Sequence, residues 1–269
     1  MSQIRTALTI AGSDSSGGAG IQADLKTFAA LGVYGTSAIT AVTAQNTLGV
    51  LEMFSLSADF VTAQIEAVAG DIPIHATKTG MLATAAIVEA VAAAINELEL
   101  PLVVVDPVMV SKSGARLLDD DGIQMLRAEL LPRSAVVTPN IPEAEVLTGR
   151  RIESLEDARA AAYDIHRAGA AAVVITGGHA EGDHIVDLLY DGETFTELEI
   201  VRVDTPHTHG TGCTFASALA ANLALGATLV DSVARAQDYV VGAIRHGLPI
   251  GRGHGSLDHF WKSAARQTL

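Results

Sequence analysis

The sequence predicts an α/β fold in which helices cover both faces of a mostly parallel sheet, and two observations support it. Short apolar segments, typical of buried strands, alternate along the chain with longer segments of helical spacing. Alanine supplies 45 of the 269 residues and aromatic residues only 4%, a composition that suits helices packed closely on a sheet. No internal repeat or linker-like shift in composition is evident, so we expect a single domain over residues 1–269.

The first half of the chain places three helix patterns among four strand patterns. Its clearest strand covers 102–106, which is apolar until a final acid, as in strands buried on both faces of a parallel sheet. Its clearest helix, at 85–98, is rich in alanine, the strongest helix former. The remaining segments are, in chain order, a strand at 7–11, a helix at 21–31, a strand at 37–42, a helix at 60–68 and a strand at 76–81.

The second half continues the alternation and adds one hairpin. Asp191 and Gly192 separate two β-leaning segments, 185–190 and 195–203, which predicts an antiparallel pair. The other expected strands are 135–138 and 172–176, and the expected helices are 122–131, 142–148, 155–168, 211–225 and 229–244. Ligands of such folds bind beyond the carboxyl ends of the strands, so the residues that follow each strand are the first candidates for function.

Composition and charge narrow the classes of function. The chain has 31 acidic and 17 basic residues, a net charge of −14, and this field repels nucleic acids and anionic membranes. The longest apolar run, 100–105, is too short to cross a bilayer, and residues 1–20 lack the layout of a signal peptide. The single cysteine, Cys213, excludes an intramolecular disulfide. We therefore expect a soluble cytoplasmic protein with no nucleic-acid and no membrane partner.

A glycine-rich loop at 12–20 follows the first strand and allows two interpretations. Gly18, Gly20 and Ala23 match a dinucleotide-binding fingerprint, but the glycines begin well after the strand and the polar pair 45–46 stands where that fingerprint needs an acid. The alternative is a flexible surface loop. A Walker-type phosphate loop is excluded because no lysine follows a glycine.

A second glycine-rich stretch, 208–214, opens the helix expected at 211–225. Free backbone amides in a first helical turn, together with the helix dipole, favour an anion there. Cys213 lies in that turn, where its pKa should be lowered from a reference of roughly 8.5. A well-capped core helix with a structural cysteine fits the same residues. A zinc site of His207, His209 and Cys213 is disfavoured because no fourth ligand is evident.

Two acids follow neighbouring strands. Asp106 ends the strand at 102–106, and Glu143 comes shortly after the strand at 135–138. Together they could hold a hydrated magnesium ion that bridges phosphates. Taken singly, Asp106 fits a cap of a turn or helix, and Glu143 fits a solvated acid of a first turn. Their joint placement with the 208–214 stretch favours a phosphoryl-transfer site.

These motifs resemble those of the hydroxymethylpyrimidine/phosphomethylpyrimidine kinases of thiamine biosynthesis, a branch of the ribokinase-like superfamily. The resemblance covers nearly the whole chain, and its first and last long motifs are specific to this branch. It rests on segments 11–26, 44–47, 78–82, 106–109, 112–114, 138–140 with Glu143, 209–214 and 251–255. It implies a three-layer αβα fold and, as is usual in this branch, a homodimer.

The resemblance also implies an activity and a set of site residues. ATP, with Mg²⁺, would phosphorylate the hydroxymethyl group of 4-amino-5-hydroxymethyl-2-methylpyrimidine and then the monophosphate that results. The pyrimidine pocket would be lined by Gly12, Asp24, Gln45, Met81 and Val108. The anion hole would consist of Gly210, Thr211, Gly212 and Cys213, and Cys213 would accept the proton. Magnesium would be held by Asp106 and Glu143 with help from Asn140, and the nucleotide would contact Lys112, Asn140, Thr176 and Thr208.

The chain departs from this pattern at a few positions, and two other functions compete. Thr176 stands where many relatives have lysine, Arg252 stands where lysine is frequent, and Cys213 replaces the aspartate base of the superfamily's sugar kinases. Pyridoxal or pyridoxine kinases of the cysteine type share the anion-hole sequence and act on a similar flat ring. A non-catalytic regulator that binds a vitamin or nucleotide on the same fold is the other alternative.

Overall fold

The computed structural model describes residues 4–111, 114–177 and 184–263. Its strands are β1 (Thr6–Asp14), β2 (Tyr34–Asn46), β3 (Gly49–Ser55), β4 (Ala76–Thr79), β5 (Val103–Val105), β6 (Val136–Val137), β7 (Val173–Ile175), β8 (His184–Tyr190) and β9 (Phe195–Val201). Its α-helices are α1 (Gly20–Ala30), α2 (Ala58–Ala69), α3 (Ala85–Glu97), α4 (Asp120–Met125), α5 (Ile141–Thr148), α6 (Leu155–Arg167), α7 (Thr211–Ala224) and α8 (Leu229–Arg245).

The strands form one sheet in the order β3-β2-β1-β4-β5-β6-β7-β8-β9. Every pair from β2 to β7 is parallel, whereas β3, β8 and β9 join antiparallel at the two edges. The hairpin predicted at Asp191 and Gly192 is confirmed, because β8 and β9 pair from Tyr190 opposite Phe195 outward. The parallel strands bring the ends of β1, β4, β5 and β6 to one edge of the sheet, where a ligand site is expected.

Helices cover both faces of the sheet, which confirms the three-layer αβα arrangement. On one face α1, α7 and α8 pack over a core that includes Phe28 and Phe215, and on the other face α2 to α6 pack over a core that includes Ile87 and Ile165. Strand β5 serves both cores, since successive side chains of 103–105 point to opposite faces. Among the described residues, no helix is long and apolar enough to span a bilayer.

The sheet extends further at one edge than the sequence predicts. Strand β2 runs on to Asn46 rather than ending at residue 42, and it turns into β3, which was not predicted. Leu51 and Phe54 of β3 are 77% and 73% exposed, so its apolar side chains do not mark a buried face. An edge strand of this kind gives no clean alternation of buried and exposed residues, and sequence patterns therefore miss it.

The helix expected at 122–131 is only partly α-helical. Asp119 caps α4 by accepting a hydrogen bond from the amide of Gly122. A π-helical turn, Leu126–Leu130, and a 3₁₀ turn, Leu131–Arg133, follow. The apolar residues of these turns are still buried, so the apolar spacing was read correctly while the backbone geometry was not.

Candidate active site

The stretch at 208–214 begins α7 without a side-chain cap. Helices α3 and α8 begin at Thr84 and Thr228, whose side chains accept hydrogen bonds from first-turn amides. Helix α7 instead follows Gly210, which has a φ of +86° and no side chain to offer. The Thr211 amide donates to the carbonyl oxygen of Thr208 at 3.4 Å, whereas the amides of Gly212 and Cys213 are available to a ligand, and the helix dipole favours a negative one. We call residues 208–213 the anion loop.

The anion loop is fixed against the loop that connects β1 to α1. A Cβ on Gly210 would overlap the carbonyl oxygen of Gly18, so only glycine permits this approach. Within the anion loop, Thr211 Oγ1 donates a hydrogen bond to the carbonyl oxygen of Thr208 at 2.8 Å. The two glycine-rich stretches that stand far apart in the sequence thus form one surface.

Three buried charges, Asp24, Lys78 and Asp106, lie beside the anion loop, and we call them the charged floor. Lys78 Nζ is 3.1 Å from both oxygens of Asp24 and 3.6 Å from Oδ2 of Asp106. Burial would lower the pKa of Lys78, but the nearby charge of Asp24 in particular raises it above its usual value. The ammonium group therefore stays charged although its side chain is fully buried.

Asp24 belongs to this floor, and its contact with the pyrimidine stays a prediction. Its side chain is fully buried. Thr9 Oγ1 donates to its Oδ2 and Ser217 Oγ donates to its Oδ1, both at 2.6 Å, in addition to the contacts from Lys78. Internal donors thus occupy both carboxylate oxygens, and Asp24 acts as the counter-ion of Lys78.

Cys213, the last residue of the anion loop, lies in the first turn of α7, is partly exposed and is next to the charged floor. The prediction that the helix start lowers its pKa is wrong. Burial raises the pKa of Cys213 to about 12, and although Lys78 lowers it, Asp106 and Asp24 raise it further. Its side chain is therefore a neutral thiol at neutral pH, hydrogen-bonded to the carboxylate of Asp106.

The structure brings the acids Asp106 and Glu143 together. Asn140 and Glu143 form a capping box at the start of α5. The backbone amide of Asn140 donates to Glu143 Oε2 at 3.0 Å, and the backbone amide of Glu143 donates to Asn140 Oδ1 at 2.9 Å. Burial first, and the charge of Asp106 second, raise the pKa of Glu143 to about 8. Burial likewise raises the pKa of Asp106, although Lys78 opposes this. It is therefore energetically unfavourable for the carboxyl groups of Asp106 and Glu143 both to be ionised.

These two acids fit a hydrated divalent cation. Oδ2 of Asp106 is buried and has no hydrogen-bond donor among the described residues. Such an oxygen suits Mg²⁺, which keeps several waters and takes one or two carboxylates together with phosphates. Within 4–111, 114–177 and 184–263 no group of three or more His, Cys, Asp or Glu side chains could hold a metal ion by itself. The zinc site of His207, His209 and Cys213 therefore has no support.

Gln45, Met81 and Val108 are partly exposed near the carboxyl ends of β2, β4 and β5, and we call them the recognition rim. The side chain of Met81 covers Gly12, because a Cβ on that glycine would overlap the methionine methyl group. The carbonyl oxygen of Met81 accepts a hydrogen bond from Thr40 Oγ1 at 2.6 Å, which fixes its backbone. Gly12 itself is buried under this contact.

Gln45 lies inside β2 rather than in a loop after it. Its backbone exchanges hydrogen bonds with the hydroxyl group of Ser15, at 2.8 and 2.9 Å. Its side-chain amide contacts Thr43 Oγ1 at 3.1 Å and approaches Nε2 of His209 to 3.3 Å. This side chain borders a cleft that is lined by residues 45–49, Ser111, His209 and His254.

Three of the four residues expected to contact the nucleotide lie in the described part of the chain. Asn140 and Thr176 are neighbours across an isolated parallel bridge, and the Thr176 amide donates to the carbonyl oxygen of Pro139 at 2.9 Å. Thr208 lies in the anion loop. Lys112 lies outside the described residues. A nucleotide contact from these four residues stays a prediction.

Two residues join the site in roles that the sequence analysis missed. Lys78 is a charged residue within a strand that is otherwise suited to burial, in a chain with only four lysines, and this signal could have identified it. His209 Nε2 lies 2.8 Å from Oδ2 of Asp14, which is 195 residues away. No spacing in the sequence indicates that contact.

The sequence of this chain is similar to those of known proteins. The sequence model of a family described as phosphomethylpyrimidine kinase matches residues 14–258. The hydroxymethylpyrimidine/phosphomethylpyrimidine kinase of Bacillus subtilis (strain 168) is 52% identical over 258 residues, which cover 96% of this chain and 95% of that protein.

Two solved structures are similar over most of the chain. An ADP complex of Bacillus subtilis pyridoxal kinase has a TM-score of 0.88 and 42% identity, covering 98% of this chain and 100% of that one. The phosphomethylpyrimidine kinase from Clostridium difficile 630 has a TM-score of 0.80 and 42% identity, covering 90% and 100%. Fold and site thus define a small-molecule kinase of the ribokinase-like type. The chain belongs to the phosphomethylpyrimidine kinase family.

Proposed function

We propose that this protein transfers phosphate from ATP to 4-amino-5-hydroxymethyl-2-methylpyrimidine and then to the monophosphate so formed, for thiamine biosynthesis. The observation that carries the proposal is the uncapped start of α7 beside Cys213 and Asp106, in a chain of this family. Free amides at a helix start suit the transferring phosphoryl group. The bound ADP of the similar pyridoxal kinase supports ATP as the donor.

The residues of the chain would act together on the phosphoryl group and on the proton of the attacking hydroxyl. Backbone amides of Gly210, Gly212 and Cys213 would stabilise charge on the phosphoryl oxygens. Because Cys213 is a neutral thiol bonded to Asp106, it would take the hydroxyl proton while passing its own proton to that carboxylate. The proton acceptor is then the Cys213–Asp106 pair rather than a free thiolate.

Magnesium would bind at Asp106 and Glu143, with Asn140 ordering its waters. Support comes from Oδ2 of Asp106, which is buried and, among the described residues, pairs only with the Lys78 ammonium group, at 3.6 Å, and from the raised pKa of Glu143. When bound, Mg²⁺ would neutralise phosphate charge and orient the phosphates. Lys112, Asn140, Thr176 and Thr208 would contact the nucleotide itself.

Phosphorylation of pyridoxal is the second candidate function. The similarity to the Bacillus subtilis pyridoxal kinase favours it, because 42% identity spans nearly the whole chain. Both rings are flat, aromatic and carry a hydroxymethyl group, so the recognition rim would have to distinguish them. Gln45 supports the pyrimidine, since an amide offers one donor and one acceptor to the amino group and ring nitrogen of an aminopyrimidine.

A product assay tests the proposal. The protein is incubated with ATP, Mg²⁺ and either ring compound, and the products are identified by mass spectrometry. We expect both the mono- and the diphosphate of the pyrimidine, formed faster than pyridoxal phosphate. Faster phosphorylation of pyridoxal would establish the second candidate, and no turnover of either ring would indicate a non-catalytic binding protein.

We further infer that residues 1–269 act as one domain in a cytoplasmic homodimer with no nucleic-acid or membrane partner. The support for the dimer is the apolar surface of the β2–β3 edge, where Leu51 and Phe54 are 77% and 73% exposed. Light scattering after gel filtration should give twice the chain mass, and Leu51→Glu with Phe54→Glu should halve it. A wild-type monomer at micromolar concentration would refute the dimer.

A further inference from the structure

We propose that His209 is a positioning residue that fixes the orientation of the Gln45 amide and thereby the preference of the site between ring substrates. The inference rests on the proposed function, because it assigns to His209 a part in substrate selection. It follows from three neighbouring groups: the Asp14 carboxylate, the His209 ring and the Gln45 amide.

Asp14 determines where the proton of His209 lies. Its carboxylate accepts hydrogen bonds from Ser16 N, Ser16 Oγ, Gly18 N and Ala19 N, at distances between 2.7 and 3.2 Å. His209 Nε2 approaches Oδ2 of the same carboxylate to 2.8 Å. Burial would raise the pKa of Asp14, but the bonds from His209 and Ser16 lower it, so the group is an ionised acceptor. Nε2 of His209 must therefore carry a hydrogen.

The side-chain amide of Gln45 must adopt an orientation that is compatible with the N–H group of His209. The amide lies with its nitrogen position 3.3 Å from His209 Nε2 and its oxygen position 3.1 Å from Thr43 Oγ1. The hydrogen on Nε2 is donated to Asp14 and leaves Nε2 no lone pair, so Nε2 cannot accept from the amide nitrogen of Gln45. Because the nitrogen and oxygen of an amide have the same shape, the stable orientation turns the oxygen toward His209. Thr43 Oγ1 can then accept from the amide nitrogen, since it donates its own hydrogen to the carbonyl oxygen of Ser13 at 3.0 Å.

This orientation leaves a defined pair of groups for a ligand. An amide has two hydrogens and an oxygen with two lone pairs, so these contacts leave one hydrogen and one lone pair of Gln45 for a ligand, and Gln45 lines the cleft that includes residues 45–49. His209 determines which side of the Gln45 amide presents the free hydrogen and which presents the free lone pair. The site therefore prefers a substrate ring with a donor and an acceptor next to each other. An aminopyrimidine has that edge, whereas pyridoxal has no ring amino group.

The ring of His209 is held in place by its neighbours. Its side chain is 11% exposed, and its backbone amide donates to the carbonyl oxygen of Gly255 at 3.2 Å. A Cβ on Gly18 would lie 2.5 Å from Cδ2 of the ring, so Gly18→Ala should displace His209 without altering it chemically. This substitution provides a second test of the role of the histidine; because Gly18 also contacts the anion loop, only a change in the ratio between the two ring substrates counts as an effect of His209.

The experiment compares His209→Phe, His209→Gln and Gly18→Ala with wild type, and uses His246→Phe as the control. His246 is an exposed histidine that stacks on Trp261, with 5.5 Å between the ring centroids. For each protein, kcat/KM is measured for the hydroxymethylpyrimidine and for pyridoxal. We expect His209→Phe and Gly18→Ala to lower the ratio about tenfold through the KM of the pyrimidine, with the KM of ATP unchanged. His209→Gln keeps a donor and should restore much of the ratio.

A measurement that is independent of activity distinguishes this inference from the proposed function. The side-chain amide resonance of Gln45, identified by its loss in Gln45→Leu, should shift in His209→Phe and remain in place in His246→Phe. An unshifted resonance, or an equal loss of kcat/KM for both rings, would overturn the role of His209. Failure of the wild-type protein to phosphorylate either ring, with the resonance shifting as expected, would overturn the proposed function alone.

Discussion

The charged floor and the recognition rim are neighbours built in opposite ways. In the floor, Asp24 and Lys78 are fully buried and bonded to each other, and further internal donors hold Asp24 from two sides. In the rim, Gln45, Met81 and Val108 are partly exposed, and Met81 is a flexible side chain. Asp24 and Lys78 of the floor are thus satisfied by internal partners, whereas the rim is open to a ligand.

This difference separates phosphoryl transfer from substrate choice. A pyridoxal kinase and a phosphomethylpyrimidine kinase are each 42% identical to this chain, so one framework is found in kinases named for two different rings. A fully buried side chain that does not contact the ligand cannot distinguish one substrate ring from another. We therefore expect substitutions beside the floor to affect both substrates alike, and substitutions in the rim to affect one substrate more than the other.

Removal of the thiol next to the floor should have the largest effect. Cys213→Ala should lower kcat by about 10²–10⁴-fold, the usual cost of losing a general base, while the melting temperature stays within a few degrees of wild type. Steady-state kinetics and thermal unfolding measure the two quantities. Normal turnover with a clear loss of stability would show that the cysteine is only structural.

Removal of the buried cation, the ammonium group of Lys78, should have the next largest effect. Lys78→Met leaves the carboxylates of Asp24 and Asp106 without their shared partner, and breaking a buried ion pair costs about 3–5 kcal/mol of the free energy of unfolding. Urea unfolding measures this, with the exposed Lys262→Met as the control. The double variant Asp24→Asn, Lys78→Met should be more stable than Lys78→Met alone. Equal stability of the two would contradict the view that Asp24 is the counter-ion of Lys78.

A smaller effect is expected in the rim. Gln45→Leu removes a donor and an acceptor from the ring edge, and each lost bond to a buried polar group costs about 1–3 kcal/mol. The KM of the pyrimidine should rise by roughly one to two decades, with the KM of ATP little changed. Equal weakening of both substrates would show that Gln45 does not read the ring.

The last of these predictions concerns the pH dependence of stability. The pKa of Glu143 is raised from 4.5 to about 8 in the folded protein, so its proton is bound more tightly there than in the unfolded chain. Its contribution is complete below about pH 4.5 and is lost as the pH rises toward 8. Glu143→Gln keeps the capping box, so its stability relative to wild type should increase between pH 5 and pH 8. The exposed Glu89→Gln is measured alongside as a control, and a Glu143→Gln difference that is constant with pH would refute the raised pKa.

Local signals made most of the fold predictable. Helices α3 and α6 begin where Thr84 and Ser154 supply N-caps, and the hairpin forms at Asp191 and Gly192 as its sequence indicates. Strand β3 was missed because its apolar residues lie exposed at a sheet edge, where burial leaves no pattern.

The site was less predictable because its contacts join distant parts of the chain. The sequence shows that Cys213 starts a helix, but not that Asp24 and Asp106 lie beside it, and burial with these charges reverses the expected pKa shift. Asp14 and His209 meet across 195 residues without any shared motif. Motifs identified the anion loop, whereas the environment of each group required the three-dimensional arrangement.

One measurement tests most directly whether residues beside the charged floor serve phosphoryl transfer while the recognition rim determines substrate choice. The ratio of kcat/KM for the hydroxymethylpyrimidine to kcat/KM for pyridoxal is determined in wild type, Cys213→Ala and Gln45→Leu, at enzyme concentrations high enough to time slow turnover. We expect Cys213→Ala to lower both constants by a similar factor and leave the ratio within about threefold of wild type, and Gln45→Leu to lower the ratio by at least tenfold. A ratio that changes more in Cys213→Ala than in Gln45→Leu would contradict the account.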